Sequence, residues 1–167
     1  LTHHDLQRTE EILSSTLEMP FVTARINDDP QARPALIQEL TEEGFQVEAS
    51  LVSPYGIRAL SGNLIHSKAF ERGDLTIQDE SSMLVAPLGK LSGKEQVLDA
   101  CAAPGGKATH IAHLLDEGSL LALDISQGKL QRLKDHAQRL GVADKIHVHV
   151  TDATQFEPEP GVLYDRI

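Results

Sequence analysis

The chain has 167 residues, of which 40% are hydrophobic and 24% charged, enough for one ordinary domain or two small ones with a buried core. Its 15 Lys and Arg against 25 Asp and Glu give a formal charge of −10, which disfavours a free-standing, purely electrostatic nucleic-acid binder. The single cysteine excludes a disulfide scaffold and a multi-cysteine zinc site, and it fits a reducing compartment, so we expect a cytoplasmic location. The apolar stretches are too short for a membrane span, and the first residues lack a signal-peptide core.

The first part of the sequence predicts a helix or linker over residues 1–20 and a small α+β subdomain over residues 21–75. Apolar residues at 6, 13 and 17 are compatible with a helix that Pro20 ends. A strand over residues 21–26 follows, and a second helix begins at Pro34 and stops at Gly44. Two further strands, over 45–52 and 57–60, flank a turn at 53–56 and complete a β-α-β-β pattern.

The second part, residues 76–167, alternates helices and strands, which predicts a parallel sheet. The expected helices are 80–88, 108–115 and 129–140, and the expected strands are 96–100, 119–124 and 146–150. Residues 163–167 look like the start of a fourth strand. Because an open α/β sheet carries about five or six strands, we expect only the first half of such a sheet here, in a chain that is a fragment.

The densest chemical signal is the run Cys101-Ala102-Ala103-Pro104-Gly105-Gly106-Lys107, which connects an apolar strand to a helix. Glycines let the backbone approach a ligand closely, and the free N–H groups of a helix start favour an anionic or polar ligand group. A phosphate-binding P-loop needs Gly and Ser or Thr where this chain has Cys101 and Ala108, so that interpretation fails. A dinucleotide-binding Gly-x-Gly-x-x-Gly motif is also missing from the run, which disfavours a pyrophosphate ligand.

Two carboxylates favour S-adenosylmethionine as the ligand of this loop. Asp124, at the end of the next predicted strand, can accept hydrogen bonds from both ribose hydroxyls, and Asp152, after the third strand, can accept one from the adenine amino group. The alternative is that both residues only cap the segments that follow them, a role that Asp commonly has. Asp99 either orients the loop or caps its turn.

The run Cys101–Lys107, with Gln78-Asp79-Glu80-Ser81-Ser82 before it and Arg139-Leu140-Gly141 after it, resembles the Sun/Fmu (RsmB) family of RNA cytosine-5 methyltransferases. The resemblance spans about residues 20–167. It implies a Rossmann-like methyltransferase sheet preceded by a small RNA-recognition-like subdomain, with residues 101–107, Asp124 and Asp152 in contact with S-adenosylmethionine. It also implies 16S ribosomal RNA as the partner. A transfer-RNA methyltransferase of the same chemistry and a non-catalytic RNA-assembly factor stay open as alternatives, with a nicotinamide oxidoreductase more distant.

Cytosine-5 methylation needs a cysteine thiolate that adds to carbon 6 of the base. The only thiol, that of Cys101, lies in the predicted cofactor loop, so we expect the nucleophile beyond Ile167 and no methylation by these residues alone.

Other candidate residues carry weaker signals. His147 and His149 share a strand face, but no third metal ligand is evident, so we expect no metal site. His110 and His113 are expected to face water. The segment 78–82 is interpreted either as a lid over the cofactor or as a helix cap. Oligomerisation is not predicted.

Overall fold

A computed structural model describes residues 5–17, 21–27 and 29–167. Within these ranges it contains seven α-helices and seven strands in two sheets. The helices are α1 (Leu6–Leu17), α2 (Arg33–Glu42), α3 (Lys68–Arg72), α4 (Glu80–Met83), α5 (Val85–Leu88), α6 (Gly106–His113) and α7 (Gln127–Arg139). The strands are β1 (Val22–Ile26), β2 (Gln46–Ala49), β3 (Gly56–Ser61), β4 (Leu75–Ile77), β5 (Gln96–Asp99), β6 (Ser119–Asp124) and β7 (Ile146–Val150).

The first helix matches the prediction over its described length, and all of its residues lie at or near the surface. Pro20, its predicted end, is outside the described residues. None of the helices in the described ranges is long and apolar enough to cross a membrane.

The first sheet is antiparallel, with strand order β2-β3-β1-β4. It contains the predicted β-α-β-β pattern and adds β4, which the sequence did not predict because three residues are too short to show an alternating pattern. The α2 helix ends at Glu42, and Gly44, the predicted stop two residues later, has a φ of +95° that suits a glycine after a helix. We call this sheet with α2 and α3 the antiparallel unit.

The two faces of the antiparallel sheet have different neighbours, because successive β1 side chains point to opposite sides. Ala24 and Ile26 face a core that also contains Leu40, Ile57 and Leu75. Thr23 and Arg25 face the other way, toward Gln78 and α6. The sheet face that carries Thr23 and Arg25 is therefore covered by the second part of the chain.

The second sheet is parallel, with strand order β5-β6-β7, as the alternating pattern predicted. Its core combines the strands with α6 and α7 through residues such as Val97, Ala108, Leu120 and Leu133. Arg166 forms an isolated parallel bridge with Val97 on the free edge of β5, where the sequence predicted a fourth strand. The fold is thus α/β with a Rossmann-like parallel sheet, as predicted.

One predicted helix differs from the structure. The expected single helix over 80–88 is two short helices, α4 and α5, that meet at Leu84. Pro87 has no N–H to donate to the carbonyl group one turn earlier, and this interrupts a continuous helix.

Candidate functional site

The loop between β5 and α6 is anchored by contacts near both of its ends. The N–H of Ala102 donates to the main-chain oxygen of Leu123 on β6 at 2.9 Å. At the other end, Gly105 has a φ of +109°, and a Cβ there would lie 2.7 Å from Cγ of Leu133. A glycine is therefore required both by the backbone conformation and by the close packing of the loop against α7.

This loop borders a cavity of about 200 Å³ at the carboxyl end of β5. All seven predicted loop residues, 101–107, line the cavity, together with Gln78, Ser82 and Asp99. The structure thus brings residues 101–107 together at one hollow, as a ligand-binding loop requires.

Asp99 is a residue of this cavity that sequence analysis left without a defined place in the site. Its carboxylate accepts a hydrogen bond from the N–H of Cys101 at 3.2 Å. Burial raises the pKa of the Asp99 carboxyl, the Cys101 hydrogen bond and the Lys107 charge lower it, and the nearby Asp124 raises it further. Its position at the end of a strand that runs into a glycine-containing loop was the signal that could have identified it.

The side chain of Asp124, at the end of β6, is hydrogen-bonded to the loop. Its side chain is 8% exposed and accepts from the N–H of Ala103 at 3.3 Å and from that of Ser126 at 2.9 Å. It contacts the loop but is not among the residues that line the 200 Å³ cavity.

Asp152 lies on the surface after β7. The register of β6 with β7 pairs Asp124 with Val150, so both acids are at the carboxyl edge of the sheet. The Asp152 carboxylate accepts from the N–H and the hydroxyl of Thr154, at 2.9 and 2.7 Å, and these bonds lower its pKa. It caps a short 3-10 helix, and it does not line the loop cavity.

The segment 78–82 serves as a cap and as part of the cavity wall. Asp79 caps α4 by accepting from the N–H of Ser81 at 2.8 Å, and the side chains of Gln78 and Ser82 line the cavity. Gln78 Nε2 is buried and has no hydrogen-bond partner among the described residues.

The histidines correct one expectation. His110 does not face water: its side chain is 1% exposed and its ring meets that of Tyr55 edge-on, with centroids 4.8 Å apart. The cause is the antiparallel unit, which covers this face of α6. His113 is half-buried, whereas His147 and His149 are exposed on β7. The described part of the chain contains no group of three His, Cys, Asp or Glu side chains placed to hold a metal ion.

The arrangement fits S-adenosylmethionine. The orphaned amide donor of Gln78 and the N–H groups at the start of α6 suit a ligand carboxylate, because helix-start N–H groups lack partners within the helix. The carboxylates of Asp99 and Asp124 give the same edge a negative charge that suits a sulfonium cation. A Cβ on Gly106 would lie 3.6 Å from Gln78 Nε2, so the glycine keeps this space free.

Solved structures define the class of this fold. The structure titled "Crystal Structure of PH0851" superposes with a TM-score of 0.80 and 30% identity, over 90% of this chain and 34% of that one. A methyltransferase homologue from Pyrococcus horikoshii gives a TM-score of 0.72 and 25% identity, over 84% of this chain and 47% of its own. The fold is that of S-adenosylmethionine-dependent methyltransferases.

Sequence comparisons then give the family. The model described as "16S rRNA methyltransferase RsmB/F" matches residues 87–167. The probable ribosomal RNA small subunit methyltransferase B of Bacillus subtilis (strain 168) is 37% identical, over 98% of this chain and 37% of the relative. The enzyme of that name from Proteus mirabilis (strain HI4320) is 32% identical, over 95% of this chain and 37% of its own. These matches support the Sun/Fmu (RsmB) family for this chain, which spans little more than a third of the length of these relatives.

Proposed function

We propose that residues 1–167 form the cofactor-binding part of an RNA cytosine-5 methyltransferase that acts on 16S ribosomal RNA in the cytoplasm. The observation that carries the proposal is the open loop 101–107 at the carboxyl end of β5, in a chain whose relatives are named as small-subunit ribosomal RNA methyltransferases. In this proposal residues 76–167 are the methyltransferase domain and residues 21–75 are a subdomain that positions the RNA, preceded by a helix or linker over residues 1–20.

We assign the cofactor contacts to residues 101–107, Asp124 and Asp152. The N–H groups at the start of α6 and the amide of Gln78 hold the amino-acid tail. Asp124 accepts from the ribose hydroxyls while it keeps its bond to Ala103, because each carboxylate oxygen can accept more than one hydrogen bond. Asp152, exposed at the same sheet edge, accepts from the adenine amino group.

The reaction needs a residue that these contacts do not supply. A cysteine thiolate adds to carbon 6 of cytosine, carbon 5 then attacks the methyl group of the sulfonium, and a base removes the carbon-5 proton so that the thiolate leaves. The cofactor supplies the methyl group as an electrophile. Cys101 is exposed on the cofactor loop itself, with its N–H bound to Asp99, so it belongs to the methyl-donor side of the site. We therefore place the nucleophile outside residues 1–167.

In this proposal the antiparallel unit positions the RNA. The charge of −10 argues against RNA binding by electrostatics alone. Much of the sheet face that carries Thr23 and Arg25 is also covered, by α6 and by the segment before α4. The antiparallel unit is thus better placed to orient RNA than to read its bases.

The test uses the longest natural chain that contains residues 1–167, which we call the parent chain. It is incubated with labelled S-adenosylmethionine and with either small-subunit ribosomal RNA or transfer RNA, both lacking the modification, and 5-methylcytosine is mapped by bisulfite sequencing. We expect methylation of the ribosomal RNA. Methylation of transfer RNA alone would move the proposal to that substrate. Cofactor binding without product on either RNA would favour a non-catalytic assembly factor.

A further inference from the structure

Arg25 on β1 is a buried cation whose hydrogen bonds to the described residues all go to neutral groups. Its side chain is 0% exposed, and none of the ion pairs among the described residues involves it. Burial lowers the pKa of its guanidinium to about 9, which still leaves it charged at neutral pH. Burying an arginine without a carboxylate is costly, and an apolar residue of similar volume would pack at a lower cost. This cost indicates that the guanidinium has a task beyond filling space.

The donors of Arg25 reach both parts of the chain. Nε and Nη2 donate to Oδ1 of Asn27 at 3.1 and 2.8 Å, which holds the guanidinium at the end of β1. Nη1 donates to Oε1 of Gln78 at 3.0 Å and to the main-chain oxygen of Gly106 at 2.9 Å. Nη2 also approaches the hydroxyl of Thr109, at 3.4 Å.

Apart from Asn27, these acceptors belong to the cofactor loop or lie beside it. The Thr109 hydroxyl, within reach of the guanidinium, donates to the main-chain oxygen of Gly105 at 2.9 Å. Gly105 and Gly106 thus have their carbonyl groups fixed by one connected network that starts on the antiparallel sheet. Gln78 is also bound to that sheet through its backbone, because its oxygen accepts from the Thr23 hydroxyl at 2.6 Å.

Two adjacent glycines need such support. They have the widest conformational freedom of any residues, and a ligand that depends on their N–H groups loses affinity when the backbone must be ordered on binding. The planar guanidinium, with its fixed fork of donors, can set the direction of several acceptors at once.

We propose that Arg25 is a positioning residue, through which the antiparallel unit holds the Gly105-Gly106 backbone in the conformation that binds the methyl donor. This inference rests on the cofactor site proposed above. It also gives the antiparallel unit a role in cofactor affinity, separate from any contact with RNA.

The test measures the affinity of the parent chain for S-adenosylhomocysteine by titration calorimetry, with Arg25→Gln as the main variant. We expect Kd to rise by about tenfold or more at an unchanged stoichiometry, because the loop is no longer preorganised. Arg25→Lys keeps the charge but lacks the planar fork, so it should restore only part of the affinity. In steady-state methylation, KM for S-adenosylmethionine should rise more than KM for RNA.

Arg58→Gln is the matched control. Arg58 pairs in register with Thr23 on the same face of the same sheet, and it contacts Glu48 and the Phe21 ring instead of the loop. The Kd of Arg58→Gln for S-adenosylhomocysteine should stay within about twofold of that of the parent chain. A merely structural role for Arg25 would lower the melting temperature and leave the Kd of the folded protein unchanged.

A folded Arg25→Gln protein with a Kd within about twofold of the parent would overturn the inference. If that variant does not fold, Arg25→Lys decides by the same criterion. If neither folds, Asn27→Leu decides, since it removes the oxygen that accepts two of the arginine's bonds and leaves the loop untouched. Failure of the unaltered parent chain to bind S-adenosylhomocysteine would instead refute the proposed cofactor site.

Discussion

The guanidinium of Arg139, at the end of α7, lies 4.1 Å from the centre of the Phe70 ring on α3. Its Nη1 also donates to the main-chain oxygens of Phe70 and Leu75, at 2.6 and 3.1 Å. One side chain of the parallel-sheet part therefore binds two elements of the antiparallel unit. Since the contacts include charge-assisted hydrogen bonds to partly buried carbonyl groups, they should contribute measurably to stability.

We expect Arg139→Met to lower the free energy of unfolding by about 2 kcal/mol, because it removes the side-chain hydrogen bonds to two carbonyl groups together with the cation–π contact. Arg132→Met is the control, since Arg132 is exposed on the same helix. It should change stability by less than about 0.5 kcal/mol. Urea denaturation followed by circular dichroism measures both, and equal effects of the two variants would contradict the prediction.

Gly73 tests the same interface through its backbone. It has a φ of +88°, and a Cβ there would overlap the main-chain oxygen of Arg139. Gly44 has a similar φ of +95°, but a Cβ at that residue would meet nothing within 4 Å. We expect Gly44→Ala to cost about 1 kcal/mol from the left-handed backbone alone, and Gly73→Ala about 2–4 kcal/mol because the helix end must also move. Thermal unfolding of the two proteins compares them, and a Gly73→Ala protein as stable as Gly44→Ala would show that the units are not in contact there.

Asp124→Ala should weaken binding of S-adenosylmethionine by about 1–3 kcal/mol, because charge-assisted bonds to the ribose and the support of the loop at Ala103 are lost together. Calorimetric titration of the parent chain measures this. Asp144→Asn, at an exposed position before β7, should leave the affinity unchanged. An unaltered affinity in Asp124→Ala would remove this residue from the site.

Cys101→Ala should retain methylation within about threefold, since the thiol is assigned to the cofactor loop and not to the attack on the base. Loss of a true nucleophile lowers the rate by several orders of magnitude. The assay is methyl transfer to RNA by the parent chain and its variant. By the same reasoning, residues 1–167 alone should give no product, and product from them would require Cys101 to be the nucleophile.

His110 should make the protein sensitive to acid. Burial, followed by the charges of Arg25 and His113, lowers the pKa of His110 to about 3, whereas a histidine in an unfolded chain titrates near its ordinary value of 6.5. Below pH 6.5 the unfolded chain therefore binds a proton that the folded chain does not, and stability falls as the pH decreases toward the folded-state pKa.

For this one group the loss between pH 7 and pH 5 amounts to about 2 kcal/mol. His110→Gln should remove that part of the pH dependence, as measured by urea denaturation at the two pH values. The control His147→Gln, at an exposed position on β7, should leave the pH dependence of stability unchanged. A pH dependence that is the same in His110→Gln and the unaltered protein would disprove the assignment.

The sequence was sufficient for the parallel sheet because its strands and helices are each bounded by strong signals. The strands β6 and β7 have their predicted limits, and the helices α6 and α7 begin two residues before theirs, since their first turns contain glycine and polar residues instead of apolar ones. The fold class and the family were likewise predicted correctly, on the loop 101–107 and the motifs beside it.

The sequence was insufficient where a residue's environment comes from a distant part of the chain. His110 has the spacing of a surface residue on its own helix, and only the docking of Tyr55 buries it. Arg25 sits in a strand whose pattern gives no sign that its side chain would be enclosed. The pKa of Asp99 is raised by burial and then by the charge of Asp124, a setting that exists only once two strands pair.

The single sulfhydryl offers a practical consequence. Cys101 is exposed and is the only cysteine in 167 residues, so a maleimide dye added to this polypeptide attaches at one known point, on the rim of the 200 Å³ hollow. An environment-sensitive fluorophore there would report on ligand entry without radiolabel or RNA.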